Sequence, residues 1–190
     1  MFSMDTTSGT AQRNSSGKQM VEVRRLTAPE ARRYVSELAG VLVACVEGGA
    51  SVSFMPPFGQ SDAEEFYRNV AKGVETGDRI LLAAFAGGEL AGTVQILTTM
   101  PPNQPHRAEI AKLLVLRSAR GRGVARSLME EAERQAAAAG KTLLVLDTVT
   151  GGTGERLYER LNWVKVGVIP RFALFPDGRW TDTTIFWKAL

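Results

Sequence analysis

Thiols and imidazoles are almost missing from this chain. Cys45 is the only cysteine and His106 the only histidine among its 190 residues. One cysteine cannot form an intrachain disulfide, and this pair cannot build a Cys/His zinc site, so we expect neither a disulfide nor a metal. Cys45 lies in the apolar run over residues 41–46, which favours a buried core thiol over a reactive one. His106 lies in a proline-bearing loop, where we expect a passive surface role.

Long apolar runs and blocks of charge are also missing. No stretch reaches the roughly 18 apolar residues that a membrane-spanning helix needs, and the N-terminus lacks the apolar core of a secretory signal. The formal net charge is only +3, and lysine and arginine are interleaved with aspartate and glutamate. The sequence therefore predicts a cytoplasmic protein with no membrane partner and no nucleic-acid partner.

The composition that is present suits one globular domain. Hydrophobic residues make up 44% of the chain and charged residues 23%, and a chain of this length can bury a sizeable core. Residues 1–18 are rich in serine, threonine and glycine, so they bury too little apolar surface to offset the entropy of ordering. We therefore predict a disordered tail over residues 1–18 and a single domain over residues 19–190.

Hydrophobic periodicity and turn residues predict a mixed α/β order of elements. An alternating strand begins at Val21, and Thr27 with Pro29 and Glu30 forms a helix start. The β-α-β-α-β order in the middle of the chain implies a crossover connection, so we expect a mixed central sheet of about six to seven strands flanked by about four helices. The predicted helices span residues 31–47, 61–72, 124–139 and 155–161, and the predicted strands span 21–24, 79–85, 90–97, 109–116, 142–146, 164–175 and 183–188.

The segment over residues 48–58 has no helical or strand periodicity but holds several aromatic and apolar residues. It is either a connection that packs on the core or the wall of a substrate pocket, since loops on a rigid scaffold often determine specificity. The same two alternatives, core packing or an acceptor pocket, remain open for Phe54, Phe58, Phe172 and Trp180.

A glycine-rich loop follows an apolar strand and opens an alanine-rich helix. Glycines allow a tight turn, and the unpaired N–H groups of a helix start attract an anion such as pyrophosphate. The loop lacks the Gly-Lys-Ser/Thr ending of nucleotide-triphosphate-binding loops and the third glycine of a dinucleotide fingerprint. Taken alone, it fits an anion site and a solvated turn about equally well. Its residues are Arg120, Gly121, Arg122, Gly123, Val124 and Ala125.

The context of this loop resembles a known family. The strand over residues 112–116, the loop and the following helix resemble the acyl-CoA-binding segment of the GNAT superfamily of N-acetyltransferases, whose motif is Gln/Arg-x-x-Gly-x-Gly/Ala. Arg120, Gly123 and Ala125 match that motif. The resemblance implies that acetyl-CoA is the co-substrate and that the loop amides bind its pyrophosphate. It also implies that the pantetheine arm lies along the backbone of Leu114, Val115 and Leu116.

A second match lies further along the chain. The family commonly has Asn-x-x-Ala-x-x-Leu-Tyr-Glu-x-x-Gly-Phe, and Leu157, Tyr158 and Glu159 fit this pattern. The positions that depart from it are Gly151, Gly154, Asn162 and Trp163. More narrowly, segments at residues 48–55, 107–109, 118–123 and 146–148 and the turn at 176–179 are similar to the tabtoxin-resistance type of GNAT enzyme, which acetylates a toxic β-lactam amino acid.

Acetyl transfer to an amine needs a group that accepts the amine proton and a group that protonates the departing thiolate. Glu109 opens the strand before the loop and Asp147 ends the neighbouring strand, so either carboxylate could accept the proton. The alternative is that both simply face solvent at strand ends. The resemblance implies that Tyr158 is the general acid, although it could also be an ordinary half-buried aromatic residue.

These observations predict an acetyl-CoA-dependent N-acetyltransferase that acts by direct transfer on the amine of a small molecule, such as an amino-acid-like toxin or antibiotic. A homodimer is one possible assembly. Two alternatives remain open, a non-catalytic acyl-CoA-binding module and an acetyltransferase of protein or peptide amines.

Overall fold

The structure is a computed structural model that describes residues 21–190. The predicted tail over residues 1–18 lies outside the described residues. Within the described range the chain forms seven strands and five α-helices. The strands are β1 Val21–Leu26, β2 Arg79–Ala86, β3 Glu89–Leu97, β4 Arg107–Val115, β5 Leu143–Val149, β6 Val164–Leu174 and β7 Trp180–Ala189. The helices are α1 Ala28–Arg33, α2 Val35–Glu47, α3 Gln60–Thr76, α4 Val124–Ala138 and α5 Thr153–Arg160, and a 3-10 turn spans Arg117–Ala119.

The predicted helix start at Thr27 is confirmed. The Thr27 N–H donates to Glu30 Oε2 at 2.8 Å, and the Glu30 N–H donates to Thr27 Oγ1 at 3.4 Å, which forms a reciprocal capping box. The predicted single helix over residues 31–47 is wrong in one detail, because the chain leaves helical geometry at Tyr34 and forms α1 and α2. The Tyr34 ring packs edge-on against Phe85 at 5.5 Å, so a core contact fixes the residue between the two helices.

All seven strands join one mixed sheet in the order β1-β2-β3-β4-β5-β7-β6, which confirms the predicted fold class. Within residues 21–190, β4 and β5 form the parallel pair, and the other neighbours are antiparallel. Alternation along the strands gives the sheet two apolar faces. Leu82 and Val94 pack in the core that contains α4, whereas Leu81 and Ala83 pack in the core that contains α1, α2 and α3.

A buried carboxylate ties the C-terminal part of the sheet together. Glu155, on α5, accepts hydrogen bonds from Lys165 Nζ at 2.7 Å and Thr184 Oγ1 at 3.2 Å, and also from the Gly151 N–H. The hydrogen bond from Lys165, with those from Gly151 and Thr184, holds the pKa of Glu155 below its usual value near 4.5. The charged form of Glu155 therefore stabilises the folded state.

Replacing Glu155 with glutamine should lower the free energy of unfolding at pH 7 by about 2 kcal/mol, because charge-assisted hydrogen bonds to a buried group are lost. A lowered carboxyl pKa contributes stability above its unfolded value, and this contribution disappears as the pH falls through the folded pKa. The difference between wild type and E155Q should therefore shrink below about pH 4.5 in urea titrations. The exposed pair Arg126–Glu130 offers a control, since E130Q should change stability by less than about 0.5 kcal/mol. An E155Q protein as stable as wild type at pH 7 would contradict this account.

Candidate active site

The sheet opens between its two parallel strands. β4 and β5 pair at Arg107↔Leu143, Ala108↔Leu144 and Glu109↔Val145. Beyond the last of these pairs, both strands continue, but the described residues form no further pairs between them. Strands that diverge in this way expose backbone N–H and C=O groups along the inner edges of a cleft, where an extended ligand can pair with them.

A β-bulge lies in β4 beside this opening. Thr93 pairs with Leu114 and Gln95 pairs with Ala111, so β4 contains one extra residue between these two pairs. Lys112 lies in the bulge with a φ of 53°, in the left-handed region that non-glycine residues rarely adopt. The bulge bends the end of β4 relative to β3, which helps to separate β4 from β5.

The glycine-rich loop joins the 3-10 turn to α4. Gly121 and Gly123 have φ values of 74° and 85°, and a Cβ atom built on either one meets no heavy atom within 4 Å outside its chain neighbours. α4 begins with no side-chain cap and has no acidic residue in its first turn, unlike α3, where the carboxylate of Asp62 accepts from the Gly59 N–H at 2.9 Å. The first amides of α4 are therefore available to an external anion, and the loop leaves space for one.

The predicted cofactor residues divide into core and surface positions. Leu114 and Val124 are buried in the two cores, so only their backbone groups could contact a ligand. Val115 and Leu116 are half-buried, and Arg120 Nε donates to the Val115 carbonyl at 3.2 Å, which connects the loop to β4. The Cys45 thiol lies beneath, 3.8 Å from the same carbonyl. Burial raises the pKa of Cys45, in agreement with the predicted core thiol.

The two predicted carboxylates lie on one face of the sheet, at the start of the split. Glu109 pairs with Val145, and Asp147 follows two residues later on the same face of β5. Glu109 Oε1 accepts a hydrogen bond from Arg107 Nη1 at 2.6 Å, and the Glu109 side chain is 42% exposed. Asp147 is exposed, and its Oδ2 accepts from Thr183 Oγ1 at 3.0 Å. Each carboxylate thus has one defined partner and remains accessible to solvent.

Tyr158 lies close to the same region but in the core. Its ring contacts Trp163 and Phe186 at centroid distances of 6.0 and 5.8 Å. Burial, with a smaller effect of the Asp147 charge, raises the pKa of Tyr158. The phenol consequently stays protonated at neutral pH, the state that a proton donor requires.

The departures from the second family pattern have structural explanations. Gly151 has a φ of 74° in the turn between β5 and α5, which favours glycine over asparagine. A Cβ on Gly154 would lie 2.7 Å from Thr148 Oγ1, too close for alanine without a shift. Trp163 Nε1 donates to Glu133 Oε1 at 2.9 Å, which links the end of α5 to α4.

The segment over residues 48–58 packs on the core, as the first alternative predicted, and part of it also borders a groove. The Phe54 ring packs against Phe58 at 4.5 Å and against Phe66 of α3 at 5.2 Å. Other residues of the segment line an open groove of about 1000 Å³ between the end of α2 and the turn at 175–179. Phe58 lines that groove, whereas Phe172 and Trp180 are exposed on β6 and β7 and do not belong to its described lining. His106 is exposed, as expected.

Sequence reasoning missed Lys112. The structure places this side chain in the β4 bulge, with Nζ donating to Ser53 Oγ at 3.1 Å and lying 5.9 Å from the centre of the Phe54 ring. The available signal was a charged residue inside the apolar run over residues 110–116, because a lysine in such a run needs a partner or a function.

No group of three or more metal-ligating side chains occurs within residues 21–190. The same part of the chain contains no helix long and apolar enough to cross a membrane.

Several solved acetyltransferase structures have a similar fold. The chain is similar to the ribosomal-protein-alanine N-acetyltransferase of Brucella melitensis, with 19% identity, a TM-score of 0.75, and coverage of 89% of this chain and 99% of that one. It is similar to YncA of Salmonella typhimurium, solved with its cofactor acetyl-CoA, with 16% identity, a TM-score of 0.74 and coverage of 90% and 94%. A protein assigned as a phosphinothricin N-acetyltransferase matches with 20% identity, a TM-score of 0.73 and coverage of 90% and 99%.

The fold, with its split parallel pair followed by a glycine-rich helix start, is therefore that of acetyltransferases. Residues 49–163 match the model of the Acetyltransferase (GNAT) family, and the chain belongs to that family. The class of reaction is accordingly acyl transfer, with acetyl-CoA as the donor that the family uses.

Proposed function

We propose that this protein is an N-acetyltransferase that moves the acetyl group of acetyl-CoA to the amine of a small molecule by direct transfer. The observation that carries the proposal is the uncapped start of α4, with two left-handed glycines facing open space, at the end of a strand that has separated from its parallel neighbour. Bound acetyl-CoA would supply the activated acetyl group.

The residues around the loop fit this co-substrate. The loop from Arg120 to Ala125 would bind the pyrophosphate, since the uncapped start of α4 combines N–H donors with the positive end of the helix dipole. Leu114, Val115 and Leu116 would bind the pantetheine arm through the backbone of β4, as an added strand binds a sheet edge. The side chain of Arg120 holds Val115 in register with the loop.

The side chains near the split would carry out the two proton transfers of the reaction. Either Glu109 or Asp147 would accept the proton of the attacking amine, directly or through a water, because both lie on the same face where β4 and β5 separate. Tyr158 would protonate the departing thiolate, and its raised pKa keeps it in the acid form.

Several short segments of the sequence favour a small-molecule acceptor. They resemble the tabtoxin-resistance type of enzyme, which supports an amino-acid-like toxin or antibiotic as the substrate class. Acetylation of a protein or peptide amine is the second candidate, favoured by the similarity to the ribosomal-protein-alanine enzyme.

The test is to incubate the protein with acetyl-CoA and matched panels of small amines and peptides while measuring the release of free thiol. Thiol release that depends on a small amine supports the proposal. Release with peptides alone supports the second candidate. Binding of acetyl-CoA without amine-dependent release would identify a non-catalytic acyl-CoA-binding module and reject the proposal.

We also propose that the protein forms a homodimer through β6. β6 is an edge strand of 11 residues, and Val166 on it is 65% exposed. Long exposed apolar edges promote association unless they are covered. The other exposed apolar residues on β6 and β7 are Val164, Val168, Ile169, Phe172, Trp180 and Trp187.

Replacing Val166 with lysine should convert the dimer to a monomer, because a charge on the edge strand opposes pairing and burial. Light scattering after size-exclusion chromatography measures this, with A137K on the exposed surface of α4 as the control for one added charge. A wild-type protein that is monomeric at tens of micromolar would refute the dimer.

A further inference from the structure

Lys112 has an unusual backbone conformation, a position beside the split, and side-chain contacts with a distant segment. It lies in the β4 bulge with a left-handed φ of 53°, directly beside the split between β4 and β5. Backbone strain of this kind at a non-glycine residue persists only where the surrounding structure imposes it, and it occurs often at ligand-binding positions. The bulge directs the side chain toward Ser53 and Phe54, in the segment over residues 48–58.

The environment of the Lys112 ammonium lacks a carboxylate partner. Its hydrogen bond goes to the neutral Ser53 hydroxyl, its other close neighbour is the Phe54 ring, and no ion pair joins it to an acidic side chain within the described part of the chain. Burial lowers the pKa of Lys112, the charge of Asp147 opposes that shift and the charge of Arg79 adds to it. A partly desolvated cation with neutral partners gains from an anionic ligand that supplies the missing charge.

Acidic and basic side chains occur together near the split. Asp147 on β5 is close enough to influence Lys112, and Glu109 lies on the same strand as Lys112. The carboxylates suit the amine of an acceptor, and Lys112 suits a negative group a short distance from that amine. The phosphates of the donor belong at the other end of β4, beyond Val115, where the glycine-rich loop begins the approach to α4.

We propose that Lys112 determines acceptor specificity by binding a carboxylate on the acceptor, so that the preferred substrates are amino acids and other amines that carry a carboxylate. This inference rests on the proposed acetyl transfer to a small amine. It assigns Lys112 to substrate binding and not to the proton transfers.

The experiment compares amino acids with the amines that differ from them only by loss of the carboxylate, such as phenylalanine with phenethylamine and lysine with cadaverine. Wild type should acetylate the carboxylated member of a productive pair with a kcat/KM roughly 10- to 100-fold higher, as expected for one charge-assisted hydrogen bond in a partly buried site. K112M should lose this preference, chiefly through KM, and K112R should keep part of it. K72M, which removes a charge from exposed Lys72 on α3, should behave like wild type.

Three results would overturn the proposal. The first is equal use of both members of every pair by wild type, and the second is a preference that survives in K112M. The third is a K112M defect of equal size for both members of a pair, which would place Lys112 at the acetyl group instead. Calorimetry with the CoA-loaded protein gives a second measurement that needs no turnover: carboxylated amines should bind wild type at least about tenfold more tightly than K112M. If no amine is acetylated but this difference appears, the proposed function fails while the carboxylate site stands; if neither appears, the site is rejected as well.

Discussion

Replacing Gly123 with glutamate should abolish detectable acetyl-CoA binding while the protein stays folded. Gly123 is the N-cap of α4 and has a φ of 85°, so glutamate there costs about 1–2 kcal/mol of conformational strain. The larger effect is electrostatic, because a carboxylate would occupy the space in which the amides of α4 would receive a pyrophosphate. We expect affinity to fall at least about 100-fold, since like charges placed together in a site cost several kcal/mol. Titration calorimetry measures the affinity for acetyl-CoA.

Gly140 provides the matched control for this substitution. It has a φ of 76°, and a Cβ there also meets no heavy atom within 4 Å, but it follows the opposite end of α4. G140E should therefore suffer similar strain and carry the same charge while binding acetyl-CoA normally. G123N adds a second comparison, because asparagine tolerates the left-handed region without adding a charge. Normal affinity in G123E would remove the loop from the cofactor site.

Replacing Tyr158 with phenylalanine should lower kcat by about 100-fold or more, because a positioned general acid contributes roughly that factor. Affinity for acetyl-CoA should stay within about twofold, since the change removes one oxygen from a buried ring and leaves its packing against Trp163 and Phe186 intact. Steady-state kinetics and calorimetry on the same preparation separate the two effects. An unchanged kcat would assign Tyr158 to core packing.

The control is Tyr67, a second buried tyrosine whose pKa burial also raises, located on α3 in the other core. Y67F should leave kcat unchanged. The pH dependence gives an independent check on Tyr158. A phenol is lost as an acid only when the pH rises through its folded pKa, and burial moves the pKa of Tyr158 above its usual value near 10. Deprotonation of Tyr158 should therefore cause no decline in the kcat of wild type up to about pH 10.

Local signals predicted local structure well. The capping box at Thr27, the hairpin between β2 and β3 and the glycine-to-helix transition at α4 all depend on neighbours within a few residues, and the structure contains each of them. The break between α1 and α2 at Tyr34 had no local signal, because the contact that fixes this residue comes from Phe85, far away in the chain. Contacts between distant segments are decided by packing, and one sequence does not display them.

The candidate site divides along the same line. Motif residues identified the loop from Arg120 to Ala125 and the carboxylates Glu109 and Asp147, because a run of glycines before a helix and an acidic residue at a strand end are visible in the chain itself. Lys112 was not visible as a site residue. Its importance depends on a bulge in β4 and on the approach of Ser53, 59 residues earlier.

By itself, then, the sequence determined the family, the mixed sheet and the loop proposed to bind the donor, since hydrophobic periodicity and short motifs encode these features locally. Only the tertiary structure decided where β4 and β5 separate, which residues line the groove, and that a lysine in an apolar strand donates to Ser53 and forms no ion pair with an acidic side chain among the described residues. The physical reason is that strand separation and partial burial of a charge depend on long-range packing, which positions a side chain according to its neighbours in space rather than in the chain.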